Sequence, residues 1–300
     1  MTERRKASDF PQEVLKLFDG YVHGFIDRRD FLEGAAKVVG GGAAALAILD
    51  ALKPRYAWAR QIPEEDPRIR AEYVEYPSPD GSGTMRAYMA VPAGAAGTLP
   101  GVLVIHENRG LNPYIEDVVR RFAAADFVAL GPDALTPLGG YPGNDDDGRA
   151  MQRELDRDVM MADWVAGFRF LRDHPTTTGR IGAVGFCYGG GVVNRLATRL
   201  PDLGAGSPFY GAPPPLEEVP GIQAPLLIHY AGLDERVNAG WPAYKEALDA
   251  NGKKYTMYLY EGVNHGFHND TTPRYDEEAA RLAQARTMDF FDEHLRETQG

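Results

Sequence analysis

Arg180-Ile181-Gly182-Ala183-Val184-Gly185-Phe186-Cys187-Tyr188-Gly189-Gly190-Gly191 is the stretch whose reading decides the fold. Ile181 to Phe186 is a short apolar run, as expected of a buried strand. Gly185-Phe186-Cys187-Tyr188-Gly189 then turns sharply, and Val192-Val193-Asn194-Arg195-Leu196-Ala197 continues as a helix. The pattern G-x-C-x-G puts a nucleophilic side chain at the tip of a strand–elbow–helix. A residue at such a tip sits in a strained backbone conformation. Its neighbours must lack Cβ atoms for strand and helix to approach. Cys187 is the only cysteine in 300 residues, so it forms no internal disulfide.

Working outward, apolar runs alternate with helical stretches. Ala71–Pro77 and Thr84–Val91 flank a Pro79-Asp80-Gly81-Ser82-Gly83 turn and read as a hairpin. Gly101–His106, Phe127–Leu130, Ala205–Tyr210, Pro225–Tyr230 and Lys254–Tyr260 read as further strands. Between them lie helices starting at Asn112-Pro113, running from about Arg149 to Asp173, from Trp241 to Asn251 and from about Pro273 to Leu295. Strands alternating with helices of ten or more residues predict an α/β fold: a mainly parallel twisted sheet of about eight strands, helices on both faces, and an antiparallel edge. Ligands in such sheets bind at the carboxyl ends of the strands.

Composition bounds the function. At 44% hydrophobic and 25% charged residues the chain is an ordinary globular protein. A net charge of −11 argues against a nucleic-acid partner, because phosphates need clustered Lys and Arg. It does not exclude an anionic substrate, since a local arginine overrides the global field.

The chemistry gathers at the strand ends. A cysteine nucleophile needs a base, and the base an orienting acid. The cysteine elbow is a variant of the serine elbow of α/β-hydrolases, where the chain order is nucleophile, acid, histidine. Asp234 follows the Pro225–Tyr230 strand and His265 follows the next. Glu235 and His268 are rivals; Asp234 and His265 are preferred because they lie closest to their strand ends. A buried cysteine is by itself usually a small core hydrophobe, and only the glycine context argues otherwise. His106 and His229 fall in or beside apolar strands and read as packed histidines. His23, His174 and His294 read as surface residues. Backbone N–H groups of Tyr188 and Asn108 are expected to form an oxyanion hole. Glu107, at the end of its strand, either faces the cysteine or forms a salt bridge with Arg109.

These residues resemble the dienelactone hydrolase family (carboxymethylenebutenolidases). The resemblance rests on Gly185–Gly190, Glu107, Gly232-Leu233-Asp234 and Asn264-His265-Gly266-Phe267, and covers about Ala71 to the C-terminus. His106–Asn112 and Gly139–Asn144 resemble a longer bacterial subgroup with an N-terminal extension. The resemblance implies a Cys187–His265–Asp234 triad that cleaves a carboxylic ester or lactone through an acyl-enzyme. It implies that Glu107 holds the resting thiol, and that no metal or organic cofactor takes part. One position departs from the pattern: Asn269 stands where dienelactone-opening enzymes carry a carboxylate-binding arginine. Arg109, Arg149 or Arg153 can supply a cation instead, and Tyr141 and Trp241 are candidate pocket residues. The alternative is a binding protein of the same fold without catalysis, against which the complete triad argues. A thiol redox role lacks a resolving cysteine.

The chain divides into an N-terminal helical extension, 1–62, and a catalytic domain, 63–300. Asp9 is a cap for a helix near Pro11–Phe18. Arg28-Arg29, a weakly apolar segment to Leu52 and Ala57-Trp58-Ala59 follow. This segment admits two readings. One is a twin-arginine signal exporting the protein to the periplasm. The other is an amphipathic helix, Arg29–Leu52, folded onto a cytoplasmic enzyme. It is too short and polar for a permanent membrane anchor. Monomer and homodimer both stay open.

Overall fold

The computed structural model describes residues 4–296. Its centre is one eight-stranded sheet: β1 (Ile69–Ser78), β2 (Gly83–Pro92), β3 (Leu99–Ile105), β4 (Val128–Pro132), β5 (Thr177–Phe186), β6 (Ala205–Phe209), β7 (Leu226–Ala231) and β8 (Tyr255–Tyr260), in the order β1-β2-β4-β3-β5-β6-β7-β8. β3 to β8 run parallel. β1 and β2 form the antiparallel edge, β2 pairing with β4. β4, β6 and β7 are buried along their whole length. β1 mixes exposed and buried positions, as an edge strand with one wet face should.

Ten helices are described: α1 (Gln12–His23), α2 (Arg28–Val39), α3 (Gly42–Leu52), α4 (Pro113–Ala123), α5 (Asp145–Glu154), α6 (Arg157–Arg172), α7 (Tyr188–Arg199), α8 (Glu235–Asn238), α9 (Trp241–Ala250) and α10 (Glu277–Leu295). Trp164 and Phe168 of α6, Val193 and Leu196 of α7 and Tyr244 of α9 fill one side of the sheet. Ile115 and Phe122 of α4 and Ala283 and Phe291 of α10 fill the other. The parallel topology brings the loops after β3, β5, β7 and β8 to one edge.

Three local expectations need correction. The helix expected from Arg149 to Asp173 is two helices. Asp156 accepts from the N–H groups of Asp158 and Val159, and this capping starts α6 afresh after a break at Leu155. Asp9 does not cap α1. It lies in a one-turn 3₁₀ segment where its carboxylate accepts from the Lys6 N–H, and Pro11 precedes α1. Arg29–Leu52 is not one helix but α2 and α3, separated at Gly40 and Gly41, whose φ values of 83° and 156° no helix tolerates.

The N-terminal helices bury Phe10, Val14, Phe18, Val22, Phe31 and Leu49 in a core of their own. Among the described residues no single helix is long and apolar enough to cross a membrane. Arg28–Val39 and Gly42–Trp58 pass in length and composition only as a pair, bent by 114°.

Candidate active site

Cys187 is the residue between β5 and α7, with φ 58° and ψ −113°. Glycine alone fits around it. A Cβ on Gly185 would lie 2.2 Å from the Gly189 carbonyl oxygen, and one on Gly189 would lie 2.3 Å from that of Ile105. The elbow therefore presses helix against strand, leaving the cysteine at the amino end of α7, where the helix dipole favours negative charge. Tyr188 is the first residue of α7, and Asn108 follows β3; both border the same cavity as Cys187.

Asp234 leaves β7 and starts α8, accepting from the Val237 N–H at 3.2 Å through Oδ1. Its Oδ2 stands 2.5 Å from His265 Nδ1. Burial alone would raise the Asp234 carboxyl; the charge and hydrogen bond of His265 outweigh it, and the net direction is down. A carboxylate at Nδ1 fixes the proton there, so the lone pair of a neutral ring falls on Nε2. That atom is buried and has no hydrogen-bond partner among the described residues. Glu235, the rival acid, is largely exposed and pairs with Lys16. His268, the rival base, is buried between Tyr114 Oη at 2.6 Å and Gln284 at 3.0 Å, and burial pushes it down to about 3. His106 and His229 are fully buried and hydrogen-bonded, His106 to Ala134 N–H and His229 to Tyr260 and Thr287.

His23 is not the surface residue the sequence suggests. It ends α1, and Gly24 follows in the left-handed conformation at φ 78°, turning the chain away at once. Its Nε2 lies 3.2 Å from Cys187 Sγ. Its ring meets that of His265 edge-on at 4.8 Å between centroids. Nδ1 faces the Asp19 carbonyl oxygen at 2.7 Å and the Asp19 carboxylate at 3.2 Å. Asp19 and His23 are four residues apart on one helix face, and that spacing was the available signal. Asn108 also reaches this helix, donating to the Val22 carbonyl.

The other expected site residues divide. Glu107 is buried at the end of β3, but its Oε2 accepts from Asn269 Nδ2 at 2.9 Å and pairs with Arg109 at 3.2 Å. Among the described residues no hydrogen bond joins it to Cys187. Asn269 is itself held by Thr271, so the position expected to bind a substrate carboxylate serves Glu107 instead. Arg109 lies outside the cavity because both its partners, Glu107 and Asp145, are internal. Tyr141 likewise turns to Asp145 and stacks edge-on with Tyr56, and Trp241 packs among Tyr230, Tyr244 and Tyr255. Neither borders the cavity. Arg149 and Arg153 do.

The cavity is about 430 Å³ and also takes Arg157, Arg195 and Arg236 into its wall, beside Met160, Tyr210 and Val237. An anionic or strongly polar ester fits such a wall better than a wholly apolar one. One nitrogen from each of His23 and His265 and the Cys187 sulfur lie within 4.8 Å of one another, a donor set of the type that takes zinc. The Arg236 guanidinium stands 3.2 Å from His23 Nε2 and 3.4 Å from His265 Nδ1, and its charge opposes a metal dication there.

Residues 85–295 match the model of the dienelactone hydrolase family, and residues 1–39 match a YqhI-like family model. A sequence from Escherichia coli (strain K12) named as a hydrolase fragment, YghX, is 58% identical over 112 residues, 37% of this chain and 96% of that one. Carboxymethylenebutenolidase 1 of Cupriavidus pinatubonensis is 26% identical over 225 residues, 72% of this chain and 94% of that one. The solved structure of a dienelactone hydrolase from Anabaena variabilis has a TM-score of 0.59 at 19% identity, covering 76% of this chain and 100% of the other, a likeness of fold. The chain belongs to the dienelactone hydrolase family and is a hydrolase of carboxylic esters.

Proposed function

We propose that this hydrolase opens small carboxylic esters or lactones through a Cys187–His265–Asp234 triad, and that the substrate carries a carboxylate. Cys187 attacks the carbonyl carbon as a thiolate and forms an acyl-enzyme, which water then hydrolyses. Asp234 orients His265, and the Tyr188 and Asn108 backbone amides receive the oxyanion. The single observation that carries this reading is the 2.5 Å Asp234–His265 contact, with the unpartnered Nε2 of that ring beside a cysteine strained at the elbow. The substrate's charge is supported by the arginines of the cavity wall, Arg153 and Arg157 foremost, since Arg149 is already paired with Asp146. Glu107, buried with Arg109 and Asn269, fixes the loop that presents Asn108. The N-terminal helices are retained in this reading, since α1 forms part of the cavity. A mature protein starting near Arg60, as a twin-arginine signal would leave, counts against it.

The test is hydrolysis of a panel of lactones and esters, with and without a free carboxylate, by wild type and Cys187→Ala. Cys187→Ala is expected to lose kcat/KM by about 10³-fold or more. The carboxylated members are expected to lose affinity as salt rises, while neutral esters do not. Undiminished hydrolysis by Cys187→Ala sinks the triad; equal salt response of both substrate sets sinks the carboxylate.

A further inference from the structure

We propose that His23 is a second catalytic imidazole of this site: Asp19 holds it, it takes the Cys187 thiol proton at Nε2, and it leaves His265 free to activate the water that resolves the acyl-enzyme. The inference rests on the reading of Cys187 as nucleophile and concerns which ring moves which proton.

Two carboxylate–imidazole pairs converge on one sulfur. Asp234 holds His265 at Nδ1 from the catalytic sheet, and Asp19 holds His23 at Nδ1 from α1. At His265 the Asp234 carboxylate, and at His23 the Asp19 carbonyl and carboxylate oxygens, call for a proton on Nδ1, so both Nε2 atoms present lone pairs to the site, that of His23 shared with the Arg236 guanidinium at 3.2 Å. The two are not equally placed. His23 Nε2 makes the hydrogen bond to Sγ at 3.2 Å, whereas His265 Nε2 has no partner among the described residues. A thiol donates along the bond it already makes, and that bond leads to His23. His23 does not block the site, because it borders the open cavity together with Cys187 and His265.

The groups facing His23 come from four elements. Asp19 lies on its own helix, Cys187 at the elbow, His265 after β8, and Arg236 on α8. Arg274 stands behind Asp19 at 3.5 Å, and Arg153 lies against the following Gly24. Burial and the charge of His265 disfavour an imidazolium here; the Cys187 charge and the Asp19 hydrogen bond outweigh them, and the ring is raised above its usual range. Asp19 itself is held strongly ionised by His265, His23 and Arg274 against the cost of burial.

The protons then balance over one turnover. The Cys187 S–H proton passes to His23 Nε2. The thiolate forms the S–C bond to the carbonyl carbon, the tetrahedral adduct collapses, and the departing alkoxide takes the proton from His23. In the second half, His265 Nε2 takes a proton from water as its oxygen bonds to the thioester carbon. Collapse breaks the C–S bond and releases the acid, and the His265 proton returns to the sulfur. The net change is ester plus water to acid plus alcohol.

The experiment compares wild type, His23→Ala, His23→Gln, Asp19→Asn and His265→Ala in the full chain. It reads the rate of iodoacetamide alkylation of Cys187 at pH 6 together with kcat/KM for an activated ester. His23→Ala and His23→Gln are expected to alkylate about tenfold more slowly at pH 6 than wild type and to recover at pH 9. Asp19→Asn is expected to fall between them and wild type. His265→Ala is expected to keep the fast alkylation but accumulate acyl-enzyme, seen as a burst without turnover. Recovery at pH 9 separates a lost proton acceptor from a collapsed fold, and His23→Gln preserves the bulk of the ring if alanine unsettles α1. If alkylation at pH 6 slows in His265→Ala and not in the His23 variants, the inference is overturned. Loss of activity in Cys187→Ala with wild-type behaviour in both His23 variants overturns this inference alone. Retained activity in Cys187→Ala overturns the triad itself.

Discussion

A non-glycine residue at φ 58° and ψ −113° is costly, of order 1–3 kcal/mol, and persists only where its surroundings over-determine it. At Cys187 those surroundings are glycines whose missing Cβ atoms let carbonyl oxygens approach. Gly189→Ala would set a methyl 2.3 Å from the Ile105 carbonyl oxygen, backbone against backbone, with nothing flexible to yield. We expect it to lower stability by about 3 kcal/mol and to displace the sulfur, so that kcat/KM falls more than melting temperature would imply. Thermal unfolding and kinetics on the same preparation check this, and an Ala variant of wild-type activity would refute it. Much of this scale was legible in the sequence. The cysteine, the acid and the histidine each follow a strand, and chain order links them. For His23 the sequence offers only its four-residue spacing from Asp19; its place at the sulfur was not legible, because it lies 164 residues from Cys187 and no strand end marks it.

At the scale of elements, α1 is the unusual part, since it brings two side chains to a site otherwise built from strand ends. It is held there by packing: Phe18 meets Phe31 of α2 edge-on, Val14 is buried in the same core, and Gln12 donates to Asn264 beside His265. Phe31 is fully buried in this small core. Phe31→Ala is expected to remove about 3 kcal/mol from the packing of the N-terminal helices. On the foregoing argument it also lowers kcat/KM, although Phe31 lies outside the cavity. Hydrogen exchange is the measure: amides of α1 and α2 should lose protection while those of β3 and β5 keep theirs. Uniform loss would mean that the helices and sheet unfold as one unit. Here the sequence was partly readable. Periodicity marked helices in 1–62, but the break at Gly40-Gly41 and the fresh cap at Asp156 are local backbone events, and apolar spacing alone runs through both.

Over the whole molecule, charge and burial set the response to pH. Burial, aided by the Arg121 charge, pushes His268 from its usual 6.5 to about 3, so the native state keeps it neutral while the unfolded chain takes up a proton. A depressed native value contributes stability that is fully present above 6.5 and is lost as pH falls toward 3. His229, lowered well below its usual range by burial, acts in the same direction. Melting temperature should therefore fall between pH 6.5 and 4, and His268→Gln, which keeps a hydrogen-bonding group, should shallow that slope. A variant with the wild-type slope would remove His268 from the account. Net charge of −11 coexists with a cavity walled by arginines, so the global field says nothing of the local one. Read alone, the sequence carried the sheet, the glycine elbow and the chain order of the cysteine, aspartate and histidine proposed as the triad. Those follow from local patterns: apolar runs of strand length, glycines at a turn, and polar residues at strand ends. Only the tertiary structure decided that Asn269 and Arg109 hold Glu107, that Arg149 and Arg153 face the cavity, and that α1 delivers Asp19 and His23 to the sulfur. The reason is that packing between segments far apart in the chain selects these contacts, and no local periodicity records which helix a buried face will meet.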